Sequence, residues 1–75
     1  MPRKLRQLRA DLLHAGWHVE RQSGTSHQIW RHSLIPDLEV NLAGQDGKDA
    51  KPYQERDVRE AVHRANVARQ RSQQP

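Results

Sequence analysis

Between Trp17 and His32 two alternating segments are separated by little more than the turn-forming run Ser23-Gly24-Thr25-Ser26. In the first, Trp17 and Val19 fall on one face and His18 and Glu20 on the other. In the second, His27, Ile29 and Arg31 oppose Gln28, Trp30 and His32. Alternation of this kind is the signature of a strand with one face covered. A parallel pair needs a crossover of a dozen residues or more, so a link this short makes an antiparallel hairpin. That hairpin must find a partner layer, because two strands alone are marginal in water.

The flanking sequence supplies the layer. Leu5, Leu8, Leu12, Leu13 and Ala15 recur at intervals of three and four, which predicts a helix over Arg3–Ala15. Pro2 suits its first turn, and Gly16 stands where a left-handed residue would end it. After the Pro36-Asp37 break, Leu38, Val40 and Leu42 alternate with Glu39 and Asn41 as a third strand. Residues 43–52 read as a loop, and Pro52 opens a second helix with Val58, Ala61, Val62, Ala65 and Ala68 at helical spacing. The expected architecture is α+β, in the order α-β-β-β-α. Its three-stranded antiparallel sheet carries two helices on its apolar face, the layout of the double-stranded-RNA-binding fold. Residues 1–69 form one expected domain, and the polar residues 70–75 an expected flexible tail.

Composition narrows the function classes. A chain of 75 residues buries only about 60% of its unfolded surface. Hydrophobic residues make up 33% and Phe is absent, so the core rests on aliphatic residues and two Trp. A core this thin favours a partner. Without cysteine there are no disulfides, thiolate metal sites or cysteine nucleophiles, which fits a cytoplasmic setting. No apolar run reaches the roughly 18 residues of a membrane span. The basic stretch Met1–Arg9 lacks the apolar segment of a secretory signal and reads as the start of the domain. Thirteen Lys and Arg against nine Asp and Glu give a formal charge of +4. This excess suits a polyanion, nucleic acid foremost, although the same charges also serve to solvate a surface.

The chemistry concentrates in Gly24-Thr25-Ser26-His27. Gly24 permits positive φ. Thr25 and Ser26 are turn formers whose hydroxyls lie close enough in sequence to contact phosphate or orient an imidazole. His27 carries the one side chain whose unperturbed pKa, about 6.5, exchanges protons near neutrality. Attack of a ribose 2′-hydroxyl on its neighbouring phosphate needs such exchange. His18 and His32 are the other imidazoles that hairpin pairing would bring near His27, but they lack the ligand spacing of a metal site. Trp17 belongs with Val19 in the core, whereas Trp30, flanked by Gln28 and His32, is expected on the open side of the sheet. Lys48 and Lys51 flank the start of the second helix, where N–H groups favour an anion. Arg3, Lys4, Arg6 and Arg9 either touch phosphates or solvate the first helix.

From Leu5 to Val67 the chain resembles the HicA-type mRNA interferase toxins. The resemblance runs through a helix ending in Gly16-Trp17, the stretch Arg21-Gln22-Ser23-Gly24-Thr25-Ser26-His27, and the helix opening Lys51-Pro52-Tyr53-Gln54. It implies metal-independent cleavage of mRNA by one histidine, His27, with no cofactor. It also implies a HicB-type antitoxin that covers this residue. On the turn and helix-start arguments above, Gly24, Thr25, Ser26, Lys48 and Lys51 are the expected RNA-binding residues. Two positions depart from the pattern: Gln28 stands where many members have a second histidine, and Val40-Asn41-Leu42 replaces a valine-proline-x-histidine stretch. A non-catalytic RNA-binding module of the same fold is the alternative.

Overall fold

The first turn of an α-helix leaves four backbone N–H groups without intrahelical partners. In α1 (Leu5–His14) all four are satisfied, two of them from far along the chain. Leu5 and Arg6 donate to the carbonyls of Lys48 and Asp46, and Gln7 and Leu8 donate to that of Lys4. The Lys4 N–H in turn donates to Gln7 Oε1 at 2.8 Å. The second helix, α2 (Pro52–Ser72), repeats the device, with Lys51 N–H donating to Gln54 Oε1 and Gln54 and Glu55 donating to the Lys51 carbonyl. The computed structural model describes residues 2–24 and 26–73.

Between the helices run β1 (His18–Ser23), β2 (His27–Arg31) and β3 (Glu39–Leu42), an antiparallel sheet in the order β1-β2-β3. This is the expected α-β-β-β-α arrangement. Element ends differ slightly: α1 and β3 are shorter than their periodicity suggested, and α2 runs to Ser72, past the boundary at residue 69. Arg, Gln and Ala sustain a helix well, and Ser72 Oγ donates back to the Arg69 carbonyl. Residues 74 and 75 lie outside the described residues.

One face of the sheet carries the core. Leu5, Leu8 and Leu12 of α1, Val58, Ala61 and Ala65 of α2, and Val40 and Leu42 of β3 are buried together with Trp17, Trp30 and Ile35. The expectation that Trp30 stands on the open side is wrong, since it is 2% exposed. Its polar neighbours lie on the same inner face because each has a built partner. Gln28 accepts a hydrogen bond from Arg9 Nε and donates to Gln22 Oε1. His32, also buried, accepts from the Leu34 N–H at Nδ1, so its proton sits on Nε2 and is donated to the Ala15 carbonyl at 3.0 Å. Its ring meets Trp17 edge-on at 5.3 Å, and a Cβ at residue 16 would come within 2.8 Å of Nε2. Gly16, at φ +97°, is therefore demanded by close approach as well as by conformation.

β1 departs from expectation in a second way. All its residues are exposed, and its register with β2 shifts between Val19 and Arg21. Val19 pairs with Trp30, yet Arg21 pairs with Ile29, so the extra residue Glu20 forms a bulge. Residues beyond the bulge change faces, and Arg21 joins Ile29 on the open side.

Arg9 ties three segments to α1. Its guanidinium donates to Gln28 Oε1, to the Ser26 carbonyl, to the Gly44 carbonyl and to Asp46 Oδ1, at 2.6–3.1 Å. Only 12% of the side chain is exposed. This geometry needs the planar fork of arginine. Arg9→Lys should cost about 2 kcal/mol, read as a lower urea midpoint. Amide exchange should also accelerate at residues 26–28 and 44–46. The two tryptophans should differ as well: Trp17 Nε1 donates to the Ala61 carbonyl, whereas the buried Trp30 Nε1 has no partner among the described residues. Trp17→Phe should therefore destabilise by about 1 kcal/mol more than Trp30→Phe in the same denaturation assay.

Candidate active site

The hairpin turn delivers His27 to the first position of β2, opposite Ser23. Gly24 takes φ +63° in that turn, as expected of it, and has open space around it. Because Gln28 points inward to Arg9, His27 projects from the opposite, open face. It is exposed, and it borders two concavities. One, of about 370 Å³, lies over β1 and β2 and is lined by Arg21, Gln22, Ser23, His27 and Ile29. The other, of about 360 Å³, crosses β3 towards α2 and includes His27, Val40, Asn41, Tyr53, Asp57 and Glu60.

Charge differs sharply between the two sides of the imidazole. Arg21 has no acidic partner among the described residues and is the cation that shares a concavity with His27. Arg31, on the same sheet face, is already neutralised by Glu20 at 3.0 Å and Glu39 at 3.2 Å. The groove across β3 is acidic. A phosphate seated beside His27 is thus favoured over β1 and β2 and disfavoured over β3.

The remaining expected site residues are placed as follows. Ser26 is half-buried, its carbonyl held by Arg9, and lines a smaller concavity with Arg9, Gly44 and Asp46 that His27 does not border. Thr25 lies outside the described residues. Lys48 and Lys51 are exposed on the segment leading into α2, and neither borders a concavity with His27. Lys51 is the N-cap of α2. Arg3 and Lys4 are paired with Asp11 and Asp49, and Arg9 is consumed by the clamp, so of the basic residues at α1 only Arg6 is without a partner among the described residues. His18 pairs with Arg31 at the far end of the hairpin, and His32 is buried beneath Gly16. Those imidazoles do not converge on His27, and no group of three or more His, Asp or Glu among the described residues is placed to hold a metal ion.

Reasoning from sequence missed Arg21, Tyr53, Asp57 and Glu60. The first was hidden by the bulge, since strict alternation puts it on the face of Val19. The helical residues become neighbours of His27 only through the packing of α2 beside β3. Tyr53, Asp57 and Glu60 do follow helical spacing on one stripe of α2, and that signal was available.

Among the described residues no helix is long and apolar enough to cross a membrane. No curated protein and no solved structure matches the chain. A family model does, described as the HicA toxin of bacterial toxin-antitoxin, and it covers residues 5–63, from the first residue of α1 into the middle of α2. The matched span includes the whole sheet, the hairpin turn and His27, and on that match the chain belongs to the HicA toxin family of bacterial toxin–antitoxin systems.

Proposed function

We propose that the protein is an mRNA interferase, a cytoplasmic endoribonuclease that cuts mRNA with His27 and needs no metal. The observation that carries this reading is the placement of an exposed imidazole on the open sheet face, beside an unpaired arginine. In the reaction, the ribose 2′-hydroxyl attacks the adjacent phosphorus and the bond to the 5′-oxygen breaks. The imidazole accepts the 2′-hydroxyl proton or, as imidazolium, gives one to the leaving oxygen. Arg21 stabilises the extra negative charge on the phosphate, with Ser23 at its side. Gly24 and Ser26 belong to the turn along which the RNA backbone runs, Thr25 is a further RNA-binding residue of this reading, and Lys48 and Lys51 extend the basic path beyond the reacting phosphate.

Gln28 takes no part in the chemistry. It stands on the other side of the strand, bonded to Arg9, which supports the reading that His27 carries the proton transfer alone. A HicB-type antitoxin silences the toxin by covering the open face around His27. The thin core and the exposed edge strand β1 suit a protein that spends much of its life bound.

The test is cleavage of a defined RNA by purified protein in the presence and absence of chelator. Cleavage should survive chelator, fall about 10²–10⁴-fold in His27→Ala, and leave a 2′,3′-cyclic phosphate end. Arg21→Ala should slow it by a smaller factor, about 10-fold or more, without loss of fold. RNA bound but left intact by the wild-type protein would overturn the enzyme reading in favour of a binding module.

A further inference from the structure

The groove across β3 differs from the phosphate side of His27 in charge and in lining. Its floor is apolar, built from Leu38, Val40, Ala43 and Ala61. Tyr53, half-exposed at 51%, forms part of its wall. Its polar groups are the Asn41 amide and the carboxylates of Glu39, Asp57 and Glu60. Glu39 is engaged by Arg31 at 3.2 Å, and Asp57 is held at 3.3 Å by its own neighbour Arg56, itself 66% exposed. Glu60 has no ion-pair or hydrogen-bond partner among the described residues. Acidic walls repel phosphate, while an aromatic face and an apolar floor attract a flat, uncharged, stacking group.

We infer that this groove takes the base next to the cleaved phosphate, and that it selects guanine. The inference rests on the reading of the protein as a ribonuclease acting at His27, which borders the groove. A carboxylate has only acceptors at neutral pH. Guanine alone presents two parallel donors on its Watson–Crick edge, N1–H and the N2 amino group, which match the two oxygens of one carboxylate. Adenine and cytosine each pair an amino group with a ring-nitrogen acceptor, and uracil flanks its N3–H with two carbonyls. Those acceptors face the carboxylate oxygens and are left unsatisfied. Tyr53 provides the stacking surface, and Glu60 and Asp57, one helical turn apart and both bordering the groove, provide the acceptors. The scissile phosphate then lies across His27 towards Arg21, so base and phosphate occupy sides of opposite charge.

Tyr53 is the one tyrosine of the chain, so its ring resonances identify themselves in an NMR spectrum. The probes are four single-stranded RNA tetramers that differ only in one central base and carry 2′-O-methylribose at every position, which removes the attacking hydroxyl. The guanine probe should shift the Tyr53 ring protons and bind about 10- to 100-fold more tightly than the other three. Asp57→Asn with Glu60→Gln, both at exposed positions, should remove that preference, and Tyr53→Leu should weaken all four probes. Equal affinity for the four bases, an unmoved Tyr53 ring at saturation, or no binding at all would overturn the inference. Cleavage of the matching all-ribose tetramers, lost in His27→Ala, separates the two readings. If it persists while the base preference is absent, only the groove assignment fails.

Discussion

One guanidinium holds the working end of this molecule together. Arg9 leaves α1 and reaches the hairpin turn, the second residue of β2 and the loop after β3 in a single fan of hydrogen bonds. The sheet pairs β1 with β2 up to the turn, at Ser23 and His27, but β2 with β3 only as far as Gln28 and Leu42. It is there that Arg9 substitutes for a ladder. Because three of its acceptors are neutral oxygens in half-buried positions, removing it would leave those acceptors without this donor as well as a loosened loop. His27 follows Ser26 directly, so the clamp governs where the imidazole stands without touching it. The core supports this from below: small alanines on α2 leave room for two indoles, which supply the bulk that a chain without Phe otherwise lacks.

Most of the fold was legible in residue spacing. The helices announced themselves through Leu5, Leu8 and Leu12 and through Val58, Ala61 and Ala65, and the hairpin through its brief polar turn. Two features were not legible, and each has a definite physical cause. Polarity misassigned Trp30, because Gln28 and His32 look like solvent-facing neighbours until their hydrogen bonds to Arg9, Ala15 and Leu34 are known. A buried polar side chain is invisible to periodicity when its partners lie elsewhere in the chain. The bulge at Glu20 hid Arg21, since one extra residue reverses every face beyond it.

The candidate site divides along the same line. His27 and Gly24 could be picked from local sequence, because a turn glycine followed by a histidine at the head of a strand is a local pattern. Arg21 needed the register, and Tyr53, Asp57 and Glu60 needed the packing of α2 beside β3. The division of charge around the imidazole is therefore a property of the tertiary structure, absent from any stretch of sequence read alone. It also explains why a net basic charge says little here. The four cations at α1 are largely spent on Asp11, Asp46 and Asp49, while Arg21, in an exposed edge strand, keeps its charge for solvent or ligand.

The capping of α1 has a bearing on how the protein is made. Synthesis delivers α1 first, but its leading N–H groups wait for the carbonyls of Asp46 and Lys48, and Arg9 waits for Gly44 and Asp46. A nascent chain that has emerged only as far as the hairpin has His27 in place by sequence but neither the clamp nor the cap that fixes its surroundings. Contacts between positions this far apart form late, after most of the loop-closure entropy has been spent. The surroundings of His27 thus acquire their final shape only once the chain has been made through Lys48, whose carbonyl caps α1.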